Sequence, residues 1–510
     1  MRSSKFLAAM LGLLACTALS ACGGGSTDQL ANPGNTGANP GIPNTGGATG
    51  GGTGGGGGGG TANCPSGTTT VAVGSEQHCR LPTQINSDIT LIPGNVYQLN
   101  GRVDVGVNVL AAGGGQRATL TVLPGVFVYA ATNNSYLVVN QGSRLVADGA
   151  VDRPIVFTSA ADLDYDDDLA LATQRASYRG IATGDVNGAS RGEWGGITLN
   201  GLAPTNNPTR VGEGSTGTIT GGTDANDNSG VIRYVQVRYA GFDVGLAVGG
   251  AAGENELNGL AFQAVGAGTT VQFVQVHNAF DDCFEMFGGT VNLRNVVCTG
   301  TNDDAYDWTD GWRGNIQFAI HVANPNFPTN DAGIEADNLS SAPDREPRSN
   351  PNLSNFTFVG TRAAGITASG GTALFRAGTA GKFVNSVIGG TRAAALDVDG
   401  SPSYAQATAD QLIFRSLFLF SNPALATDAD DGPLPGIFAR DPNNAIGTGS
   451  LVPQVGGGIA YVNGPTENGR PAFNATSLSS FFSTVNYIGA VQSPSNNWTL
   501  GWTEFLNRAG

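Results

Sequence analysis

The stretch from Thr269 to Val322 repeats itself at a step of 22 residues. The segment Asp281–Glu285 in the first copy matches Asp303–Asp307 in the second, and the apolar run that starts at Val274 matches the one that starts at Val296. In the first run valine alternates with glutamine, which is the pattern of a strand with one buried face. Short repeats of this kind, with Gly and Asn at the turns, are typical of a solenoid in which each repeat forms one coil.

The repeat is too short for a pair of helices, and no helical periodicity accompanies it. We therefore predict an all-β fold, a right-handed parallel β-helix whose hand follows from the usual chirality of parallel crossovers. An earlier line, Tyr234–Asp243, matches the line at Phe273 at a step of 39 residues. We interpret the excess segment, Val248–Leu257, as a loop inserted between two coils. A second long polar loop is expected at Asn324–Asn355, where the period fades.

The open ends of a solenoid have to be covered. The aromatic tail of the chain is the predicted C-terminal cap, and its large side chains are Phe481, Phe482, Trp498 and Trp502. With 78 glycines in 510 residues and only 13% charged residues, the composition suits one elongated domain, which we place at residues 64–510. The formal net charge of −15 repels phosphate backbones, so nucleic acid is not an expected partner.

Residues 1–22 are predicted to be a lipoprotein signal peptide. A positively charged start precedes an apolar run, Phe6–Ala18, that is too short to span a bilayer as a helix. The run ends in Leu19–Cys22, which resembles the lipobox of bacterial lipoproteins. That resemblance implies that Cys22 becomes the mature N-terminus and carries acyl chains, and that Gly23, in place of Asp, directs the protein to the outer membrane. The alternative is an ordinary cleaved secretory peptide.

Residues 23–63 are predicted to be a flexible, glycine-rich tether, because nothing in this segment can bury a core. Beyond it, Cys64 and Cys79 are expected to form a disulfide in an exported, oxidising compartment, which would contribute roughly 3 kcal/mol in the chain-entropy model. The alternative is two separately buried thiols.

A second disulfide, between Cys283 and Cys298, is left open by the sequence. Cys298 aligns with the inward positions Val276 and Ile320, which predicts that it lies in the core. Cys283 falls in a turn, so a bridge would have to join that turn to the strand of the next coil.

Several sequence patterns carry a resemblance to a known family. They are a glycine turn at Gly142–Gly149 followed by Pro154–Ser159, the segments Trp194–Ile197, Gly230–Val235 and Glu256–Leu260, the paired aspartate segments of the repeat, and a closing pattern between Tyr487 and Trp502. Over roughly Gly142–Gly510 the chain resembles a family of Gram-negative outer-membrane or secreted lipoproteins with a parallel β-helix. The resemblance implies the fold and an outer-membrane location, facing the cell surface or the periplasm, and it implies no particular chemistry.

The repeat also predicts columns of carboxylates, because stacked coils lie about 4.8 Å apart. We expect Asp243, Asp282 and Asp304 to share one column, and Asp281 and Glu285 to lie over their matches in the next coil. Like charges at that spacing raise one another's pKa or recruit a cation. The hypothesis is a Ca²⁺ site that draws on Asp281, Asp282, Glu285, Asp303, Asp304, Asp307 and Asp310.

An alternative role for these aspartates is to bond turn backbones. Tyr306, Trp308 and Trp312 lie beside them in the sequence, and aromatic faces beside carboxylates suit sugars.

Three functions remain open from the sequence. The first is binding of a glycan, a surface partner or an outer-membrane transporter, with Ca²⁺ in support. The second is a polysaccharide lyase or glycoside hydrolase, for which Arg313 is the nearest candidate base and the candidate carboxylates are Asp281, Asp282, Asp303 and Asp304. His277 and His321 stand alone in the sequence and match no expected partner of such a centre. The third is a structural role in the cell envelope.

Overall fold

Short β-branched runs separated by glycine, asparagine and aspartate form strands in this chain, because such residues suit a pleated, half-buried ladder with tight turns. The structure is a computed structural model and describes residues 63–74, 76–110, 114–163, 190–214, 221–247, 256–324, 332–360, 371–390, 394–454, 458–504 and 506. These residues lie within one unit, Gly58–Gly510. Within them, no helix is long and apolar enough to cross a membrane.

The predicted signal peptide at residues 1–22, with Cys22, lies outside the described residues. Residues 23–62 of the predicted tether lie outside them as well, and so does the inserted loop at residues 248–255.

The strands of the described residues are, in chain order, β1 (Thr69–Val73), β2 (Glu76–Arg80), β3 (Gln84–Ile85), β4 (Ile89–Leu91), β5 (Val96–Leu99), β6 (Arg102–Val105), β7 (Thr119–Val122), β8 (Phe127–Ala130), β9 (Tyr136–Val139), β10 (Arg144–Asp148), β11 (Ile155–Ser159), β12 (Gly196–Asn200), β13 (Gly230–Arg238), β14 (Leu260–Gln263), β15 (Thr270–Ala279), β16 (Phe284–Phe287), β17 (Asn292–Thr301), β18 (Tyr306–Thr309), β19 (Asn315–Val322), β20 (Ile334–Ala336), β21 (Asn352–Val359), β22 (Gly371–Phe375), β23 (Gly381–Val384), β24 (Val387–Gly389), β25 (Ala394–Val398), β26 (Leu412–Arg415), β27 (Phe418–Phe420), β28 (Ala445–Ile446), β29 (Val452–Pro453) and β30 (Ala460–Val462). The helical segments of the same residues are short: α1 (Val244–Ala247), α2 (Ser401–Thr408), α3 (Leu434–Phe438), α4 (Pro465–Asn468) and two 3₁₀ turns at Ala160–Asp162 and Ala475–Ser477.

The strands stack into two long sheets. Ten strands form what we call the front sheet, in the order β3, β6, β9, β12, β14, β16, β18, β20, β22, β25. An 18-stranded sheet, the larger sheet, holds the other strands except the β29–β30 pair. Apart from the antiparallel β1–β2 pair, the strands of both sheets pair in parallel, for example with Val274 beside Val296 and Phe284 beside Tyr306. The prediction of an all-β parallel β-helix is therefore confirmed.

The larger sheet is bent along its length by a column of residues in the left-handed region. Each of β13, β15, β17, β19 and β21 has such a residue near its middle, and parallel pairing aligns them between consecutive coils. These residues are Tyr234, Phe273, Asn295, Phe318 and Asn355, with φ between 49° and 64°. Because non-glycine residues enter this region at a cost, the ladders on either side must hold the bend, and each coil gains a corner there.

The core is a column of apolar side chains inside the coils. On the front sheet, Leu260, Phe284, Tyr306 and Ile334 point inward on consecutive strands and are fully buried. The rings of Phe284 and Tyr306 stack at 5.4 Å between centroids. This period-two burial leaves the alternate positions of the front sheet facing outward.

The four cysteines of the described residues form two disulfides. Cys64 and Cys79 join the start of the described chain to β2, with 5.4 Å between their Cα atoms. Cys283 and Cys298 join the turn before β16 to β17, with 5.9 Å between their Cα atoms, and both are fully buried.

The predicted alignment of the third coil is wrong by one residue. The step from β17 to β19 is 23 residues, so His321 lies beside Cys298, and Ile320 lies beside Val297 on the outer side. The turn that leads into β19 has one residue more than the turn that leads into β17, which explains the shift. The polar loop expected at Asn324–Asn355 is also interrupted, because β20 adds a further strand to the front sheet within it.

The aromatic tail is not the cap of the solenoid. Trp502 packs with Val297 and Ile320 on the outer side of the larger sheet, and Phe482 packs with Val384 there. The coils end at β25 to β28, where α2 and α3 bury Ala407 and Leu434 in the main core. A C-terminal cap is therefore present, but two short helices form it.

The tail is attached to the larger sheet by side-chain amides. Gln275 donates through Nε2 to the carbonyl of Glu504 at 2.8 Å and accepts from its N–H at 2.9 Å. Gln317 makes the same pair of bonds with Ser483, at 3.0 and 2.8 Å. Each amide thus bonds the tail backbone as a neighbouring strand would.

Candidate cation site

Outward-facing carboxylates form a ladder on the front sheet. Phe284 and Tyr306 point into the core, so the next residue on each strand, Glu285 and Asp307, points outward. Parallel pairing places Glu285 beside Asp307, and Asp307 beside Glu335, on the consecutive strands β16, β18 and β20. Adjacent strands are about 4.8 Å apart. Three carboxylates at this spacing repel one another unless protons or a cation lie between them.

The turns before β16 and β18 add further carboxylates to this ladder. One group consists of Asp281, Asp282 and Asp303, and a second consists of Asp282, Glu285 and Asp307. Within each group the carboxylate oxygens lie within 4.8 Å of one another. Asp282 and Glu285 are only 5% and 6% exposed, and Oδ1 of Asp307 is buried without a hydrogen-bond partner. We call these five residues the central cluster.

Two of the predicted calcium ligands are engaged elsewhere. Asp304 accepts the N–H of Ala332 through Oδ1 at 2.7 Å, which is the turn-bonding role that the sequence left open. Asp310 is buried and forms an ion pair with Arg210. Asp282, a member of the central cluster, also bonds a turn backbone, because its Oδ1 accepts the N–H of Asp304 at 2.9 Å.

The prediction that Asp243 shares the column of Asp282 is wrong. The register of β14 and β16 places Asn258 beside Asp282, and Oδ1 of Asn258 accepts the N–H of Asp282 at 3.1 Å. Asp243 instead precedes α1, where its Oδ1 accepts the N–H of Gly245 at 2.8 Å. Asn258 also donates to Glu285 at 2.5 Å, so an amide occupies the position expected for a carboxylate.

A segment between β12 and β13 covers the ladder. We call residues 201–214 the covering loop. Its Thr205 donates to the carbonyl of Asp310 at 2.9 Å, and the Arg210 guanidinium lies 4.5 Å from the centre of the Phe287 ring. Gly288, with φ of 65°, passes beneath it, and a Cβ there would lie 2.7 Å from the side chain of Thr205. The loop therefore shields Glu285 and Phe287 from water.

Burial raises the pKa of every carboxyl in the central cluster. Neighbouring carboxylates add to the effect, which is largest for Asp281, Asp282, Glu285 and Asp307. The pKa of Asp303 is raised by burial and lowered in part by Arg376. The cluster thus favours bound protons or a bound cation over a set of free negative charges.

Two glutamates at the edge of the cluster share this environment. Burial, more than any charge, raises the pKa of Glu213 and of Glu256 to about 7. Glu213 belongs to the covering loop and accepts a hydrogen bond from Nδ2 of Asn258 at 3.0 Å. Both carboxyls therefore titrate near neutral pH.

Two arginines border the cluster, and their charges only partly offset the rise in the pKa of its members. Arg376 forms ion pairs with Glu335 and, at 2.9 Å, with Asp337 at one end. Arg210 lies at the side toward Asp310. Among the ion pairs of the described residues, neither arginine pairs with a member of the central cluster.

The predicted catalytic base and the predicted sugar-stacking rings do not reach the cluster surface. Arg313 is exposed and follows the C-terminal end of β18, whereas Asp303 precedes the N-terminal end of the same strand. Tyr306, Trp308 and Trp312 are fully buried in the core and cannot contact a sugar.

Sequence reasoning missed several residues beside the cluster. One of them, Glu335, could have been found from the sequence. Apolar and acidic residues alternate from Ile334 to Asp337 inside the segment predicted to be a loop, and this alternation is typical of a strand such as β20. Arg210 and Glu213 had no such signal, because the covering loop carries no repeat and comes from a distant part of the chain.

Comparison with protein families finds a similarity to β-helix domains. A family model described as a pectate-lyase-like β-helix domain matches residues 83–170 and 176–451, which is more than half of the chain. These ranges include the front sheet from β3 to β25 and all five residues of the central cluster. No curated protein and no solved structure matches the chain significantly.

Proposed function

The chain belongs to the family of pectate-lyase-like β-helix domains, and from this premise we propose that it is a glycan-binding protein of the cell envelope whose central cluster holds Ca²⁺. The observation that carries the proposal is the pair of carboxylate groups that share Asp282. Two oxygens on one Ca²⁺ lie about 2.3 to 2.6 Å from the ion, so they are at most about 5 Å apart. Both groups meet that limit.

The charge of the chain supports a role for the cation in glycan binding. At a net charge of −15, the protein repels an acidic polysaccharide. Each carboxylate group includes a partly buried member, for example Asp303 in the first and Asp307 in the second, so a cation in either group would bridge the protein to carboxylates of the glycan. Calcium at this site would therefore both relieve repulsion inside the cluster and attract an acidic ligand.

The location belongs to the same proposal. A lipid on Cys22 and a tether over residues 23–63 would hold the β-helix at the outer membrane, at the cell surface or on the periplasmic side. An outer-membrane protein is a further partner that such an anchor would bring within reach.

The test is a glycan array probed with the purified full chain, with Ca²⁺ and with a chelator. We expect acidic glycans to be retained only with Ca²⁺, and Asp282→Asn to lose this binding. Asp304→Asn is the matched control, because its amide oxygen can still accept the N–H of Ala332. Equal binding with and without Ca²⁺, or no binding to any glycan, would overturn the proposal.

A second candidate is a polysaccharide lyase or glycoside hydrolase. The observation in its favour is that Glu213 and Glu256 have pKa values near 7, which suits a general acid or base at neutral pH. The low exposure of Asp282 and Glu285 leaves little room for a sugar. Incubation with pectin and alginate, followed for unsaturated products and new reducing ends, decides it. Neither binding nor turnover would leave a structural role in the envelope.

A further inference from the structure

A second group of carboxylates lies at the C-terminal end of the solenoid, away from the central cluster. Asp397 points outward from β25, the last strand of the front sheet, and lies beside Leu374 of β22. Carboxylate oxygens of Asp397, Asp399 and Asp428 lie within 4.8 Å of one another, and those of Asp428, Asp430 and Asp431 do so as well. We call these five residues the terminal cluster.

The backbone brings the two halves of the terminal cluster together. Leu425 pairs in parallel with Leu396, and the N–H of Ala426 donates to the carbonyl of Leu396 at 3.0 Å. Residues 425–426 therefore start one more coil next to β25, and the chain leaves that coil in the turn at residues 428–431. This places Asp428 over Asp399, on the outer side of the front sheet.

One oxygen of the buried member of the cluster has no hydrogen-bond partner. Asp397 is 3% exposed, and its Oδ1 is buried with no hydrogen-bond partner. Its carboxylate faces Asp399 and Asp428, both of which carry the same charge. Among the ion pairs of the described residues, none involves these three aspartates. Burial, followed by the charges of Asp399 and Asp431, raises the pKa of Asp397 to about 7.

The remaining members are held in place by the turn and by the cap. Asp431 accepts the hydroxyl of Tyr404 of α2 at 3.0 Å and the N–H of Asp428 at 2.7 Å. Asp430 accepts the N–H of Gly400 at 2.7 Å. These bonds orient the turn so that Asp428, which is itself exposed, projects toward Asp397.

We propose that the terminal cluster is a Ca²⁺ site formed by Asp397, Asp399 and Asp428, which fastens the C-terminal cap to the last coil. Calcium takes several carboxylate oxygens in flexible geometry. Here Asp397 lies in β25, Asp399 directly follows that strand, and Asp428 lies in the turn that leads to α3. The ion would supply the positive charge that the buried Oδ1 of Asp397 lacks. It would thereby join the end of the ladder to the segment that covers it.

The test is hydrogen exchange of the full chain, read by mass spectrometry during a titration with CaCl₂. We expect Ca²⁺ to slow exchange in peptides that cover Asp397–Asp399 and Asp428–Asp431. In Asp397→Asn the Ca²⁺ concentration for half-protection should rise at least about tenfold, because affinity follows the number of charged ligands. Asp428→Asn should show the same rise. Because Asp428 is exposed, this substitution should not disturb folding, so it tests the site even if Asp397→Asn does not fold.

Two controls separate this site from others. Asp410→Asn removes an exposed carboxylate nearby that pairs with Arg440, and Asp282→Asn disables the central cluster. Both should keep the wild-type midpoint in the C-terminal peptides. No Ca²⁺-dependent protection in the wild type, or one midpoint shared by all variants, would overturn the proposal.

Discussion

His321 shows how one extra residue in a turn changes the chemistry of a core position. The 23-residue step into β19 turns this side chain inward, beside Cys298 and with its ring 5.9 Å from that of Phe358. Its Nδ1 is buried without a hydrogen-bond partner. Burial lowers the pKa of His321 to about 4, so the folded protein holds it neutral.

This burial predicts a pH dependence of stability. The folded pKa lies below the ordinary value of 6.5, so the unfolded chain takes up the proton first. The contribution of His321 is therefore fully present above about pH 6.5 and is lost as the pH falls toward 4, by up to about 3 kcal/mol. We expect His321→Leu to remove this part of the acid sensitivity. Urea denaturation of both proteins at pH 7.5 and pH 4.5 measures the change in the free energy of unfolding. An equal decrease in the wild type and in His321→Leu would contradict the role given to His321.

At the level of elements, the covering loop matters because it buries one side of the front sheet. Its Arg210 provides both an ion pair to Asp310 and a cation–π contact to Phe287. The side chain of Asp310 is 1% exposed. Losing its partner would leave a buried charge, and such a loss costs far more than the loss of a surface pair.

We therefore expect Arg210→Gln to lower the free energy of unfolding by about 2 kcal/mol. Arg440→Gln is the matched control, because Arg440 and Asp410 are exposed, and it should cost less than about 1 kcal/mol. Adding Asp310→Asn to Arg210→Gln should restore part of the loss. Equal effects of the two arginine substitutions in chemical denaturation would show that the loop contact is unimportant.

At the scale of the whole molecule, the coils of the β-helix could be predicted from the sequence. The positions of the covering loop and of the C-terminal tail on those coils could not. The repeat at Asp281–Glu285 and Asp303–Asp307 carried the prediction, because one repeat is one coil and side chains alternate along a strand. It also indicated which carboxylates stack. The step changes where a turn gains a residue, as before β19. The covering loop and the tail carry no repeat, so nothing in their sequence indicates which coil they contact.

The amide bonds of Gln275 and Gln317 predict how the tail is held. Gln275→Glu keeps the size of the side chain but replaces the Nε2 donor to the Glu504 carbonyl by an acceptor. We expect a loss of roughly 1 to 3 kcal/mol for the unsatisfied buried group, and faster proteolytic cleavage of the tail. Gln272→Glu, on the same strand but partly exposed, should leave cleavage unchanged. Identical digestion patterns for the two variants would contradict this role.

Calcium binding by the central cluster is tested most directly by calorimetric titration of the purified full chain with Ca²⁺, in the wild type, Asp282→Asn and Asp304→Asn. Asp282 belongs to both carboxylate groups and Asp304 to neither. We predict that the wild type and Asp304→Asn share one binding component that weakens at least about tenfold in Asp282→Asn. The component from the terminal cluster should persist in all three. No heat in the wild type, or the same binding curve in all three proteins, would contradict the claim that these stacked carboxylates hold a cation.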